Sequence, residues 1–136
     1  MIFHHPVRVE FNHCDPAGIV FYPRYFEMVN ATCESFFREV AGYSYAAMMQ
    51  AGDATPTASL QATFHAPSRL EEMLDWQLVV LRIGSSSLRV RITAVGEDGR
   101  PRVTVEKTLV FTTSPLTAQP WTQALRDRFL PYLVTG

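Results

Sequence analysis

Hydrophobic residues recur along this chain with two periods. From Val7 to Phe11, Val7, Val9 and Phe11 alternate with Arg8 and Glu10, which predicts a strand. From Pro23 to about Val40 the period is helical. Phe26, Val29, Cys33, Phe36, Phe37 and Val40 share one face, and Arg24, Glu27, Asn30, Glu34 and Arg38 share the other. Pro23 suits the first helical position, where its missing N–H would be unpaired anyway, and Gly42 suits the stop. A second short helix is expected over Tyr45–Ala51, closed by Gly52. From Thr57 onward the period is two. Leu60, Ala62 and Phe64 mark one strand and Leu74–Ile83 a second. In a third, Leu88, Val90, Ile92 and Ala94 alternate with Arg89, Arg91 and Thr93. In a fourth, Val103, Val105, Lys107, Leu109 and Phe111 alternate with Thr104, Glu106 and Thr108. Asp98-Gly99 is a hairpin signal between the last two. Trp121–Leu133 reads as a terminal helix with Pro131 close to its end.

A strand, a long helix and then a run of strands predict an α+β domain with an antiparallel sheet, occupying residues 1–136 as one unit. Such a sheet has two edges, and pairing edge to edge in a homodimer is a natural way to satisfy one of them.

The composition is ordinary for a globular chain, with 47% hydrophobic and 18% charged residues, which argues against disorder. Twelve Lys and Arg stand against 13 Asp and Glu, so the basic excess of a nucleic-acid binder is missing. All the cations but Lys107 are arginines, which leaves a small phosphorylated ligand open. There is no apolar run long enough for a membrane span and no leader pattern over Met1–Pro6. Cys14 and Cys33 form neither a CxxC nor a zinc spacing, as expected of a reduced, cytoplasmic protein. His4, His5 and His65 lack metal-ligand spacing, and no phosphate-binding glycine loop occurs, so neither a metal nor a nucleotide cofactor is expected. Gly42-Tyr43-Ser44-Tyr45-Ala46 has the letters of a serine nucleophile turn. It follows a helix instead of a strand and is set aside.

The densest chemistry lies between His13 and Tyr22. Asp15 stands beside Pro16, Ala17 and Gly18, small and turn-forming residues that let a ligand approach the backbone. Ile19-Val20-Phe21-Tyr22 then leads into the helix start, where backbone N–H groups lack partners and the dipole is positive. Pro23 has no N–H, so the nearest donors belong to Tyr22, Arg24 and Tyr25. A donor there can polarise a carbonyl, and a carboxylate beside it can attack that carbonyl or deprotonate a water. Asp before Pro and Gly is equally at home as a plain turn residue. His13, two residues before Asp15, would point the same way in an extended segment. It reads either as an exposed loop histidine or as a group that orients water or meets the ligand.

The run Arg8-Val9-Glu10-Phe11-Asn12-His13-Cys14-Asp15-Pro16-Ala17-Gly18-Ile19-Val20-Phe21-Tyr22-Pro23-Arg24-Tyr25-Phe26 resembles the signature of the 4-hydroxybenzoyl-CoA thioesterase family. The likeness extends over roughly residues 5–113, including the Thr55-Pro56 step and Gly84-Ser85-Ser86-Ser87 before a strand. It implies the hotdog fold, an antiparallel sheet wrapped around one long helix, and hydrolysis of an acyl-CoA to the free acid and CoA. Coenzyme A is then part of the substrate, no separate cofactor is needed, and a homodimer or dimer of dimers carries sites at its interface. By position, Asp15 matches the family's catalytic carboxylate and Tyr22 the residue whose N–H polarises the thioester. His13 departs from the pattern, standing where the 4-hydroxybenzoyl-CoA enzyme has an acidic residue.

The aromatic side chains of Phe21, Tyr22, Tyr25 and Phe26 suit the lining of an aromatic or medium acyl site. Thr57 and Ser59 can line it from a partner copy or be ordinary strand residues. The resemblance sets Ser85, Ser86 and Ser87 along the CoA tail, with Arg82 beside them for a phosphate; a plain turn would also favour Gly and Ser. A non-catalytic acyl-CoA or small-ligand binder and a hydratase using a His–Asp pair are the competing readings.

Overall fold

The computed structural model describes residues 1–134. Strand β1 (Phe3–Arg8) is followed by a short 3-10 turn (Phe11–His13), helix α1 (Arg24–Phe36) and helix α2 (Tyr45–Ala51). After them come β2 (Asp53–Ala54), β3 (Thr57–Phe64), β4 (Met73–Ile83), β5 (Ser87–Val95) and β6 (Pro101–Val110). Two short strands, β7 (Thr112–Thr113) and β8 (Thr117–Ala118), precede helix α3 (Gln123–Phe129). The main sheet has five antiparallel strands in the order β1-β4-β5-β6-β3.

The inner face of this sheet is the apolar row that the two-residue period marks. Leu74, Trp76, Leu78 and Val80 of β4, Leu88, Val90, Ile92 and Ala94 of β5, and Val103, Val105 and Leu109 of β6 are all buried. Against them α1 lays Tyr25, Met28, Val29, Cys33 and Phe36. This is the expected hotdog arrangement. α1 runs on into a π-turn, Phe37–Ala41, and Gly42 ends it in the left-handed conformation at φ 69°. Phe129 stacks on Phe36, and Trp121 on Phe37 and Phe111, so α3 and the segment before it close the far end of the core. No helix among the described residues is long and apolar enough to cross a membrane.

Two boundaries differ from the sequence reading. The first strand runs over Phe3–Arg8 instead of Val7–Phe11, because Val9 leaves the ladder to exchange backbone hydrogen bonds with Glu71 and Glu72. Phe11 then points outward, 83% exposed, on the 3-10 turn. The terminal helix is shorter than expected: Thr122 caps it by accepting from the Leu125 N–H, and a 3-10 turn replaces it from Leu130.

The edges are unequal. β1 carries Pro6, which an edge strand tolerates. β3 is exposed at every position except Ala62, with Leu60 and Phe64 showing 43% and 47% of their surface.

Candidate active site

Residues 13–21 fold as a pinched hairpin. The Asp15 N–H donates to the Ile19 carbonyl (3.0 Å), Cys14 bridges Val20, and the Phe21 N–H donates to the His13 carbonyl (2.9 Å). Gly18, at φ 78°, closes the turn by donating to the Asp15 carbonyl (3.0 Å); a side chain there would be strained. Asp15 Oδ1 accepts from the Ala17 N–H at 2.9 Å, which aims the carboxylate, and Oδ2 has no partner among the described residues. The half-buried side chain lines a hollow of about 360 Å³ with Asn12, Cys14, Pro16, Phe21 and Arg24. Burial, and then the nearby Asp15 charge, push the Cys14 thiol up.

The helix start sits on the same hollow. The Arg24 N–H donates to the Phe21 carbonyl (2.9 Å), Tyr25 to Tyr22 (3.2 Å) and Phe26 to Pro23 (3.1 Å). Of the three donors the sequence offers, only the Tyr22 N–H has no acceptor among the described residues. A carboxylate with a free oxygen thus lines a hollow that Phe21 and Arg24 also border, and the unengaged Tyr22 N–H lies between those two in sequence at the positive end of α1, an arrangement able to activate a nucleophile and stabilise an oxyanion.

His13 is placed differently from the extended-segment expectation. It ends the 3-10 turn, and its Nδ1 accepts from the Glu10 N–H at 2.8 Å, so the imidazole supports its own turn. It is not among the residues lining the Asp15 hollow. Phe21 does line that hollow. Tyr22 and Tyr25 line a neighbouring one of about 320 Å³ with Val20, Phe64 and His65. The Tyr25 hydroxyl is spent on Ser68 Oγ (2.8 Å), leaving only its ring to the hollow. Phe26 packs edge-on to Phe64, whose ring also meets Tyr22 and Tyr25. Phe64 is thus the centre of the aromatic cluster, which its place in a strand pattern does not reveal.

The remaining residues lie elsewhere. Thr57 pairs with Leu109 and faces the helix side; after a bulge Ser59 pairs with Thr108 on the outer face. Arg82 and Ser85–Ser87 sit at the far end of β4 from the Asp15 loop, ten residue steps from Met73, or about 33 Å. Their hairpin is tied down from the C-terminal segment. The Trp121 N–H donates to the Ser85 carbonyl, Trp121 Nε1 to the Ser87 carbonyl, and Arg126 to the Gly84 carbonyl (2.8–2.9 Å). One chain therefore does not bring the serines to Asp15.

A second concavity, of about 420 Å³, is absent from the sequence reading apart from Thr57. It lies between α1, α2 and the start of β3, lined among others by Asn30, Glu34, Tyr45, Met48 and Lys107. No three His, Cys, Asp or Glu side chains gather with metal-binding geometry among the described residues.

The Asp15 hairpin is itself held by residues 65–72. Val20 donates to the Ser68 carbonyl (2.9 Å) and Leu70 to the Gly18 carbonyl (3.2 Å). That segment is riveted to β6 by the buried Arg102, which binds Glu72 at 2.9 Å. The same guanidinium also pairs with Asp98 (3.2 Å), so Glu72→Ala leaves it one carboxylate of two. We expect a loss of about 1 kcal/mol of stability by urea unfolding, since a buried charge loses one partner and keeps the other. Unchanged stability would remove the Arg102–Glu72 pair from the support of the loop.

Three solved structures show how this architecture recurs. A gentisyl-coenzyme A thioesterase superposes with TM-score 0.82 at 22% identity, over 93% of this chain and 99% of its own. A 1,4-dihydroxy-2-naphthoyl-CoA thioesterase from Synechocystis gives 0.87 at 17%, over 96% of both chains. A Staphylococcus aureus protein in complex with CoA gives 0.90 at 14%, over 99% of this chain and 87% of its own. A comparison with curated protein sequences gave no match. At these identities the likeness speaks for the hotdog fold, whereas the model of the thioesterase superfamily matches residues 17–103, well over half of the sequence, and on that ground the chain belongs to the thioesterase superfamily.

Proposed function

We propose that the chain hydrolyses acyl-CoA thioesters whose acyl group is aromatic or of short to medium length. The observation that carries the reading is the Asp15 carboxylate, with one oxygen free, beside the unengaged Tyr22 N–H at the start of α1. The N–H holds the thioester oxygen and gains strength as negative charge develops there. Asp15 either attacks the carbonyl carbon or takes a proton from the water that does. The C–S bond breaks and CoA leaves as the thiolate and is protonated; the water route leaves the acid, and the attack route leaves a mixed anhydride with Asp15 that water then hydrolyses to the acid and free Asp15. Superfamily membership supports thioester hydrolysis in general. Thiol release from a panel of aromatic and aliphatic acyl-CoAs tests the reading; a protein that binds CoA esters and releases no thiol would instead be a binding module.

The working unit in this proposal is a homodimer or dimer of dimers joined at the β3 edge. A two-fold pairing of β3 with its copy sets the Phe64 end of one chain beside the Thr57 end of the other. That is the end where β5 begins with Ser87, two strands in, or about 10 Å from the edge. The partner's Thr57 and Ser85–Ser87 thereby approach the Asp15 loop, which a single chain leaves far from its own serines. Light scattering is expected to give two or four chain masses, and Leu60→Glu to shift the mass toward one chain and lower turnover. A wild-type monomer with full activity would sink this arrangement.

A further inference from the structure

Lys107 stands in the wrong row of its strand. On β6 the inward positions are Val103, Val105, Lys107 and Leu109, and Lys107 is 3% exposed, as buried as the apolar residues around it. It is also the chain's only lysine. Its ammonium makes no ion pair or hydrogen bond with any described residue. The side chain's stem is packed in the core and its ammonium opens into the concavity beside it, where an anion could meet it away from bulk water.

The side chain lines the 420 Å³ concavity, whose other walls are largely apolar: Met48, Met49, Pro56 and Leu109. The two carboxylates on its rim are already occupied. Glu34 pairs with Arg38 (3.4 Å), and Asp53 accepts from Tyr43 Oη (2.6 Å) and Gln119 Nε2 (2.9 Å). Tyr45 contributes a neutral phenol, since burial above all pushes it up to about 12. What the cavity lacks is an acceptor for the lysine. It lies along α1, the helix whose start carries the Tyr22 N–H. Asn30 and Glu34 stand six and ten residues past the start of α1, an advance of about 9–15 Å.

We propose that Lys107 is the specificity-determining residue of an acyl site that takes an acyl group with an apolar body and a carboxylate at its far end. The inference rests on the thioesterase reading and adds to it the chemical class of the acyl group. The apolar walls hold the body, and the unpaired ammonium receives the carboxylate that leaves water with the substrate.

The test uses matched pairs: adipoyl-CoA with hexanoyl-CoA, and 4-carboxybenzoyl-CoA with 4-methylbenzoyl-CoA. Wild type is expected to favour the carboxylated member in kcat/KM by about tenfold to a hundredfold, the range of a charge-assisted hydrogen bond. In Lys107→Met that preference disappears or inverts. Binding of the non-hydrolysable thioether analogues of the same four, by calorimetry, gives a readout independent of turnover and is expected to show the same Lys107-dependent preference. Thioesters hydrolysed without regard to the far carboxylate would overturn this proposal and leave the thioesterase reading standing. No hydrolysis, with the carboxylated analogues still bound preferentially, would do the reverse. Should the variant not fold, the wild-type preference alone decides.

Discussion

Asp15→Asn is expected to release thiol from acyl-CoA about 10²–10⁴ times more slowly than wild type, the range for loss of a positioned base. The substitution suits the loop. Asp15 Oδ1 accepts from the Ala17 N–H, and an asparagine carbonyl oxygen can accept the same bond, so the hairpin from His13 to Phe21 persists. The amide, however, neither attacks a thioester nor takes a proton from water. Circular dichroism and thermal unfolding should therefore match wild type while kcat collapses and KM changes little, since the lost interaction belongs to the transition state. A single turnover in ¹⁸O-labelled water tests for the nucleophilic role. Label entering Asp15 marks attack by its oxygen through a mixed anhydride that water opens at the aspartyl carbon; label only in the released acid is shared by activated water and by an anhydride opened at the acyl carbon. Wild-type kcat in the variant would take Asp15 out of the chemistry and return it to the turn-forming role that Asp-Pro-Ala-Gly also permits.

Local spacing was readable wherever a residue's neighbours in sequence are also its neighbours in space. The helical face from Phe26 to Phe37 and the two-residue rows of β4, β5 and β6 became the core because each repeats one contact many times. The Asp15 hairpin was readable for the same reason, as the hydrogen bonds that close it join residues at most eight apart, although Ser68 and Leu70 brace it from outside. Three things were not. Val9 continues the alternation of β1 and yet leaves its ladder, because its partners, Glu71 and Glu72, lie some sixty residues on. The serine hairpin looked like part of the site from its composition, and only the length of β4 separates it from Asp15. That β3 is an edge, with Leu60 and Phe64 uncovered, depends on strand order. Lys107 is an intermediate case. A lone lysine inside an apolar row was visible in the sequence, but without the cavity beside it the charge had no meaning.

The Tyr22 N–H can be removed without touching a side chain, and its loss is expected to cost about 10²–10³ in kcat, the usual cost of one oxyanion donor. Replacing tyrosine 22 by its α-hydroxy acid turns the Phe21–Tyr22 amide into an ester, which keeps the ring and the trans geometry and deletes the one hydrogen. An ester also weakens the Phe21 carbonyl as an acceptor, and that carbonyl receives the Arg24 N–H at 2.9 Å. The control is therefore the ester at position 24, which deletes the Arg24 N–H. It removes the same turn hydrogen bond and leaves the Tyr22 N–H in place. If the free donor holds the developing oxyanion, the position 22 ester loses kcat while the position 24 ester stays within a few-fold of wild type. Equal losses would assign the effect to the turn that starts α1. The contrast is sharp because Pro23 offers no substitute, and the N–H groups of Arg24, Tyr25 and Phe26 already donate to Phe21, Tyr22 and Pro23. The helix dipole remains in both esters, so whatever differs between them belongs to the hydrogen itself.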